Sequence, residues 1–349
     1  MAGIETVRVF AMLAVICLHT HPFYGIQNGV WIFYWVNNLC RFAVPFFFMA
    51  AGYFYEKKVQ TGVPRLELLK VICKRLGLVF LAWFVLYAVL PVRFPVDLLR
   101  QGFSRELADW LAEQPAAAWS WIALHPLTFW MQGTATHLWF LVSLMMALAL
   151  VAIFPIFKKD KLLLLTAALL FGAALLGKPY VSTPWGIPFP DQFNPRNGPF
   201  FSTLFVVLGY FIAKMRRLPS RRFAVCLMVG GFLWHMAEVF FLWEFFSAPF
   251  YGNDFVLGTI PFGAGVFLTA LTNPGFGKGT VLPQWGEFTL GIYVSHYYVL
   301  VILSIIHRDY FKFPGPVLWQ VLFPLAGYLG SLGLVFLMRK NKAAEILVS

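Results

Sequence analysis

The chain has 349 residues, of which 60% are hydrophobic and only 12% are charged. Soluble domains carry about 25% charged residues, so this composition excludes an ordinary soluble protein and predicts a multi-pass membrane protein. The net charge of +12 at pH 7 requires no nucleic-acid partner, because membrane topology accounts for it.

Hydropathy predicts about ten spans, each near the ~20 residues that a bilayer requires. In chain order they cover residues 4–21, 32–55, 71–92, 138–157, 162–176, 200–213, 224–246, 255–271, 288–306 and 317–338. The expected fold is therefore an all-α bundle of about ten transmembrane helices, forming a single domain over residues 1–349. We expect the fifth and sixth spans to be short.

The distribution of Lys and Arg predicts the orientation. Eighteen of the 27 fall in the connections on one side of the membrane and seven on the other. This asymmetry places both termini in the cytoplasm, together with a basic tail at residues 339–349. The longest outer connection, residues 93–136, is aromatic in its second half. Such a segment favours an interfacial position, and the alternative is that it forms a wall of an acceptor site.

The first span carries ionisable groups that a lipid-facing helix should not carry. Arg8 and His19 are eleven residues apart, about three helical turns, so they share a face at a separation of ~16 Å. Glu5 lies one turn from Arg8 and is its expected partner. Ionisable groups within a span usually mark a functional site.

Other spans also contain polar candidates. Arg41 and Glu238 are predicted at similar depths, so they either pair with each other to lock two helices or contact a substrate. His137, His235 and His296 also lie in apolar stretches, where a histidine often only joins helices by hydrogen bonds. No metal-binding pattern is present, and GFGKGT (residues 275–280) lacks the spacing of a phosphate loop.

Four stretches in register resemble a known family. They are Arg8-(ten residues)-His19, VPFFFMAAGYF (44–54), HLWFLVSL (137–144) and LGIYVSHYYVL (290–300). Their order and spacing are similar to those of the integral-membrane acyltransferase family three, whose members acylate bacterial cell-surface sugars. The resemblance implies a protein of the bacterial inner membrane that binds membrane lipids, an acyl-CoA and a glycan or lipid-linked sugar.

The resemblance also implies roles for individual residues. The donor is acetyl-CoA or another acyl-CoA held from the cytoplasmic side, with no metal, and the acceptor is a sugar hydroxyl or sometimes an amine. The essential histidine of the family matches His19, and the arginine before it matches Arg8. An Arg-x-x-Arg pattern before the third span is matched by Arg75, whereas its second position is Leu78.

A mechanism can be set beside this resemblance. We expect His19 to act as a general base on the acceptor hydroxyl, since neutral imidazole accepts a proton near pH 7. The oxyanion that follows needs donors, and Arg41 or His137 can supply them. An acyl-histidine intermediate is a variant. The CoA phosphates are expected at a set of basic residues on the cytoplasmic side, whose charges positive-inside topology alone also explains: Lys70, Lys74, Arg75, Arg216 and Arg217.

Two other functions stay open. A transporter of a polar or anionic solute also buries Arg, Glu and His, although no paired halves with matching Gly and Pro breaks are visible. A scaffold for envelope assembly would bind no CoA. For the acyltransferase, the expected substrate or transition-state residues of lower priority are Arg41, His137, Glu238 and His296.

Overall fold

The computed structural model describes residues 1–90, 105–190, 193–309 and 315–348, and within these ranges it is helical without any β-strand. Short 3-10 turns cover Cys40–Phe42, Thr136–Leu138 and Phe154–Phe157. The α-helices are α1 Ala2–Thr20, α2 Val30–Leu39, α3 Ala43–Gln60, α4 Arg65–Val89, α5 Arg105–Leu124, α6 Pro126–Gln132, α7 Trp139–Ile153, α8 Asp160–Gly177, α9 Pro199–Lys214, α10 Arg221–Phe246, α11 Thr259–Leu271, α12 Leu282–Gly286, α13 Thr289–Asp309, α14 Pro316–Arg339 and α15 Lys342–Glu345.

The helices agree with the predicted spans in position, but their lengths differ. Among the described residues, eight helical segments are long and apolar enough to cross a membrane. The other two expected spans correspond to α9 and α11, which are apolar but have only 16 and 13 residues. The eighth span is therefore shorter than expected, whereas the fifth has 18 residues. The number of ten crossings stays a prediction.

The second span is interrupted in its middle. It runs from Val30 to Gln60, but a 3-10 turn at Cys40–Phe42 separates α2 from α3. Pro45 explains the break, because it has no N–H to donate to the carbonyl of Arg41 four residues earlier. The irregular turn places Arg41 at a point where the regular helix ends.

The outer connection is partly helical. Residues 93–104 of the predicted segment lie outside the described residues, and the remainder contains α5 and α6. Trp119, Leu124 and Trp130 are each about 70% exposed. Such exposed apolar side chains fit a segment at a membrane interface, and its position there stays a prediction.

Helix α1 lies at the centre of the bundle. It packs against α3, α11, α12, α13 and α14 and buries residues on several faces. Its first turn is fixed by the GFGKGT segment, since Thr6 Oγ1 donates to the carbonyl of Phe276 at 3.1 Å. That glycine-rich loop therefore packs against the N-terminal end of α1. Its Gly277 has φ +74°, and a side chain there would collide with Thr6.

Two glycines set the closest helix–helix approach of the core. A Cβ on Gly52 of α3 would lie 2.0 Å from the carbonyl oxygen of Val206, and one on Gly209 of α9 would lie 2.0 Å from that of Met49. Small residues allow this approach, which supplies the van der Waals contact that holds helices together in lipid. The α3–α9 pair is thus packed backbone to backbone.

The close α3–α9 packing predicts that one methyl group added at this contact destabilises the protein. Gly52→Ala forces the two backbones apart and should lower the free energy of unfolding by about 1–3 kcal/mol. Gly172→Ala in α8 is the matched control, because its Cβ would meet no atom within 4 Å. It should be neutral or stabilising. Thermal unfolding of both variants in lipid nanodiscs checks this, and equal midpoints for Gly52→Ala and the wild type would contradict it.

Candidate functional site

Three neighbouring cavities follow α1 from one end to the other. The first, here called the His19 cavity, has a volume of about 250 Å³ and lies at the C-terminal end of α1. The second, the Arg75 cavity, has a volume of about 320 Å³ and includes Arg8 and Arg75. The third, the Lys57 groove, measures about 630 Å³ and adds Lys57 and Lys58.

The three cavities share walls. The His19 and Arg75 cavities have four lining residues in common, Val15, Val44, Phe140 and Tyr293. The Arg75 cavity and the Lys57 groove have six in common, namely Arg8, Ala51, Ile72, Arg75, Leu76 and Leu144. The three cavities therefore lie in series beside α1, from the basic groove to His19.

His19 lies in a cluster of histidine and tyrosine rings. Its Nδ1 is 2.8 Å from the hydroxyl of Tyr297, and its ring centroid is 5.2 Å from that of His296. His137, from the 3-10 turn before α7, stacks on Tyr297 with centroids 4.4 Å apart. The structure thus brings together three histidines that the sequence places in separate spans.

Several nitrogen atoms of this cluster lack a partner. His296 Nδ1 lies 2.6 Å from the carbonyl of Tyr293, but its Nε2 meets no hydrogen-bonding group in the described part of the chain. Neither ring nitrogen of His137 meets one there, although this residue is 2% exposed. Because buried polar groups are almost always paired, such orphaned atoms next to a cavity indicate a place for a ligand or water.

Charged groups gather at the same cavity. The carboxylate of Asp254 lies 2.7 Å from Arg41 Nη1, 3.1 Å from Arg196 Nη1 and 2.5 Å from Lys178 Nζ. Arg41 also donates from Nε and Nη2 to the Asn37 side-chain oxygen. The possible Arg41–Glu238 pair is therefore wrong, because a loop carboxylate rather than the seventh span provides the partner.

Glu238 binds the backbone before α11 and the Tyr180 hydroxyl rather than Arg41. Its carboxylate accepts from the N–H groups of Leu257 and Gly258 at 2.9 and 2.7 Å and from the hydroxyl of Tyr180. These two N–H groups precede α11, where a negative charge is favourable at a helix N-terminus. His235 is likewise engaged, by Thr259 and Asn38. Glu238 does not line any of the three cavities described above.

The electrostatics of the loop residues fit this arrangement. Burial opposes ionisation of Asp254, but the charges of Arg196, Lys178 and Arg41 outweigh it and hold its pKa well below the ordinary value. Burial and, to a smaller extent, Arg41 lower the pKa of His21, whose Nε2 lies 2.6 Å from the hydroxyl of Tyr251. His21 is therefore neutral at pH 7.

The opposite end of α1 holds the expected Glu5–Arg8 pair, with 2.9 Å between Arg8 Nη1 and Glu5 Oε2. That prediction is confirmed. Arg8 and Arg75 both line the Arg75 cavity and the Lys57 groove. Four other expected phosphate ligands are exposed and line none of the three cavities: Lys70, Lys74, Arg216 and Arg217.

The sequence alone did not single out several residues of the site. Lys178 and Arg196 look like ordinary topological charges of the outer connections, and Asp254 belongs to no motif. The signal for Asp254 is its position directly before a predicted span, in a chain whose basic residues outnumber its acidic ones. For Tyr297 the signal was its position directly after His296 in the LGIYVSHYYVL stretch.

Loss of the central carboxylate should destabilise the protein. Asp254→Asn leaves three buried cations without their anion and should cost about 3–5 kcal/mol in the free energy of unfolding. Asp160→Asn is the matched control, since its pair with Lys214 is partly exposed and contributes less than about 1 kcal/mol. Thermal unfolding compares the two variants at pH 7. Equal losses for Asp254→Asn and Asp160→Asn would show that the cluster is not structurally important.

The same cluster predicts a dependence on pH. A carboxyl group with a lowered pKa stabilises the fold fully above its ordinary pKa of about 4, and this contribution is lost as the pH falls from there. The difference in unfolding midpoint between wild type and Asp254→Asn should therefore shrink only below about pH 4.

Comparison with known proteins identifies the family. The acyltransferase domain of acyltransferase family 3 matches residues 1–340. Two curated proteins of Enterococcus faecalis, both called amino-acid racemase, are similar at 24% identity. One aligns over 88% of this chain and 42% of its own length, the other over 66% and 31%. The chain thus spans less than half the length of either relative, and no solved structure matches it. Because the family match covers nearly the whole sequence, this multi-pass membrane chain belongs to acyltransferase family 3.

Proposed function

We propose that the protein transfers an acyl group, most simply acetyl, from acyl-CoA to a hydroxyl of a cell-surface or lipid-linked glycan. It is a membrane-bound enzyme of a single domain, and His19 is its general base. Acyl transfer itself follows from the family, whereas the donor, the acceptor and the role of His19 are proposals. The racemase name of the two relatives is not carried over, because more than half of each lies outside the match.

The shared wall between the His19 and Arg75 cavities is the observation that carries this proposal. Acyl transfer between a water-soluble donor and an extracellular glycan requires that two substrates meet within the membrane. Val15, Val44, Phe140 and Tyr293 face both cavities, so a donor in one lies directly beside an acceptor in the other. Holding two reactants side by side supplies much of the rate enhancement of such reactions.

The donor fits the Arg75 side. The nucleotide of CoA is too highly charged to enter the bundle, so we place it at the Lys57 groove, where Lys57, Lys58 and Arg75 supply positive charge. Its thin pantetheine arm then extends past Arg8 through the Arg75 cavity, whose remaining walls are mostly apolar. Lys70, Lys74, Arg216 and Arg217 contribute at longer range by attracting the phosphates.

The chemistry requires one tautomer of His19. If Nδ1–H donates to the Tyr297 hydroxyl oxygen, Nε2 keeps its lone pair and can take the proton of the acceptor hydroxyl. The oxygen then attacks the thioester carbonyl, the C–S bond breaks, and the CoA sulfur leaves with the proton that His19 returns. Tyr297 is a positioning residue in this scheme.

The oxyanion of the tetrahedral intermediate needs donors that are already in place. His137 lines the His19 cavity with unpartnered ring nitrogens, and Arg41 lines it as well. An N–H of His137 is the better candidate, because the three side-chain nitrogens of Arg41 already bond Asn37 and Asp254. His296 supports the cluster from behind His19.

The proposed topology follows from the basic residues. We place both termini, the tail at 339–349 and the Lys57 groove on the cytoplasmic side of a bacterial inner membrane. The His19 cavity then faces the outer half of the membrane. Acyl-CoA is cytoplasmic and surface glycans are external, so the chain of cavities links the compartments of its two substrates.

Removal of the imidazole should abolish most of the activity. His19→Ala is expected to lower kcat by about 10²- to 10⁴-fold, the usual contribution of a general base, with little change in thermal stability. Tyr297→Phe removes only the hydrogen bond to Nδ1 and should cause a smaller loss of kcat. Transfer of labelled acetyl from acetyl-CoA to glycan in purified membranes measures both. His235→Ala, at a histidine outside the cavity, is the control, and a His19→Ala enzyme of full activity would refute the assignment.

Removal of Arg75 should weaken donor binding. Arg75→Ala is expected to raise the KM for acetyl-CoA by roughly 2- to 10-fold, because an exposed charge contributes modestly, while kcat changes little. Arg222→Ala is the matched control, since Arg222 is exposed and lines none of the three cavities. If both variants had the same KM as the wild type, the phosphates of CoA would have to bind elsewhere.

A further inference from the structure

The charges around the His19 cavity do not balance. Arg41, Arg196 and Lys178 all contact the single carboxylate of Asp254. These four side chains are between 9% and 22% exposed, so bulk water screens them poorly. In the described part of the chain, three cations against one anion leave a net charge of +2 in a largely buried space.

Nearby groups do not correct this excess. Among the described residues, the other buried acidic side chain at this end is Glu238, and it is satisfied by Tyr180 and by the N–H groups before α11. Burial lowers the pKa of Lys178, and although Asp254 opposes this shift, the neighbouring guanidinium groups reinforce it. Buried unbalanced charge is costly, so a site of this kind favours an anionic ligand.

One cation has donors to spare. The Nη1 of Arg196 contacts Asp254, and its Nε lies at 3.5 Å from the Asn197 side-chain oxygen. In the part of the chain that the structure describes, its Nη2 meets no acceptor, and the side chain lines the His19 cavity. The guanidinium is held over the Trp139 ring, 4.6 Å from its centroid. Arg196 is therefore fixed in place with an N–H available to the cavity.

A second, independent feature points to a ligand at the same place. His137 lines the cavity, is almost completely buried and has two unpartnered ring nitrogens among the described residues. Because most buried polar groups are paired, an unpartnered imidazole that lines a cavity indicates a place for a ligand or water. The cavity thus offers a free guanidinium donor, an imidazole and His19 to one molecule.

We propose that the acceptor of the acyl group is anionic and that Arg196, supported by Arg41 and Lys178, binds its carboxylate or phosphate while a hydroxyl lies at His19. This inference rests on the proposed function for the identity of the molecule as acceptor. It narrows the substrate class from any surface glycan to acidic sugars and sugar phosphates. The anionic group binds the sugar to the positive cluster. A neutral sugar of the same shape binds less well, because the charge of the cluster then stays uncompensated.

The test is a binding experiment that does not depend on catalysis. The full chain in lipid nanodiscs is titrated, without acyl-CoA, with glucuronate, glucose 1-phosphate and neutral glucose. At least one charged sugar should bind about 10-fold or more tightly than glucose, the difference expected for one hydrogen bond to a charged group. Whichever charged sugar binds more tightly distinguishes a carboxylate from a phosphate acceptor. Equal binding of charged and neutral sugars, or no binding of the charged ones, would overturn the proposal.

Variants at Arg196 separate ligand binding from structure. Arg196→Gln should remove the preference for the charged sugar, whereas Arg196→Lys, which keeps the charge above Trp139, should keep most of it. Arg222→Gln should change nothing, and thermal unfolding confirms that each variant is folded. A preference that survives Arg196→Gln would refute this role. The role would also be refuted if Arg196→Gln changed only the selectivity between succinyl-CoA and acetyl-CoA. The anion that Arg196 binds would then belong to the acyl donor. If the charged sugar binds but acyl-CoA does not, only the proposed acyl transfer is refuted, and the anion site stands.

Discussion

The carboxylate of Asp254 is the group on which the His19 end of the bundle depends. It contacts Arg41 from the break in the second span, Lys178 from the turn after α8 and Arg196 from the segment before α9. Four parts of the chain that are distant in sequence thus meet at one buried anion. Because charges within an apolar bundle are costly unless they are paired, this contact fixes the loops that surround the cavity.

Helix α1 connects the His19 end of the bundle to the end that holds the Arg75 cavity. Its last turn carries His19 in a cluster of rings, and its first turns carry the Glu5–Arg8 pair beside a cavity that opens toward Lys57 and Arg75. One helix in the centre of the bundle therefore separates two chemically different sites by about 16 Å while keeping them on one face. The shared walls of the cavities make this face the natural path for a two-substrate reaction.

Much of this organisation could be predicted from the sequence. Apolar length gives the helices, and the eleven-residue spacing places Arg8 and His19 on one face, since helical periodicity is a local property. The partners of Arg41 could not be predicted in this way. Depth along two spans favours Glu238, but the partner, Asp254, lies in a loop 213 residues away. Hydropathy carries no information on how loops fold back onto a cavity. The roles of Lys178 and Arg196 cannot be predicted for the same reason. A basic residue in a connection is already explained by membrane topology.

In the proposed function, the donor reaches His19 along α1 from the Arg75 side. A cryo-EM structure of the full chain in nanodiscs with a non-hydrolysable acetyl-CoA analogue would show this path. We expect the phosphates at Lys57, Lys58 and Arg75, the pantetheine arm beside Arg8, and the carbonyl carbon beside His19. A bound analogue whose carbonyl lies outside the His19 and Arg75 cavities would contradict it.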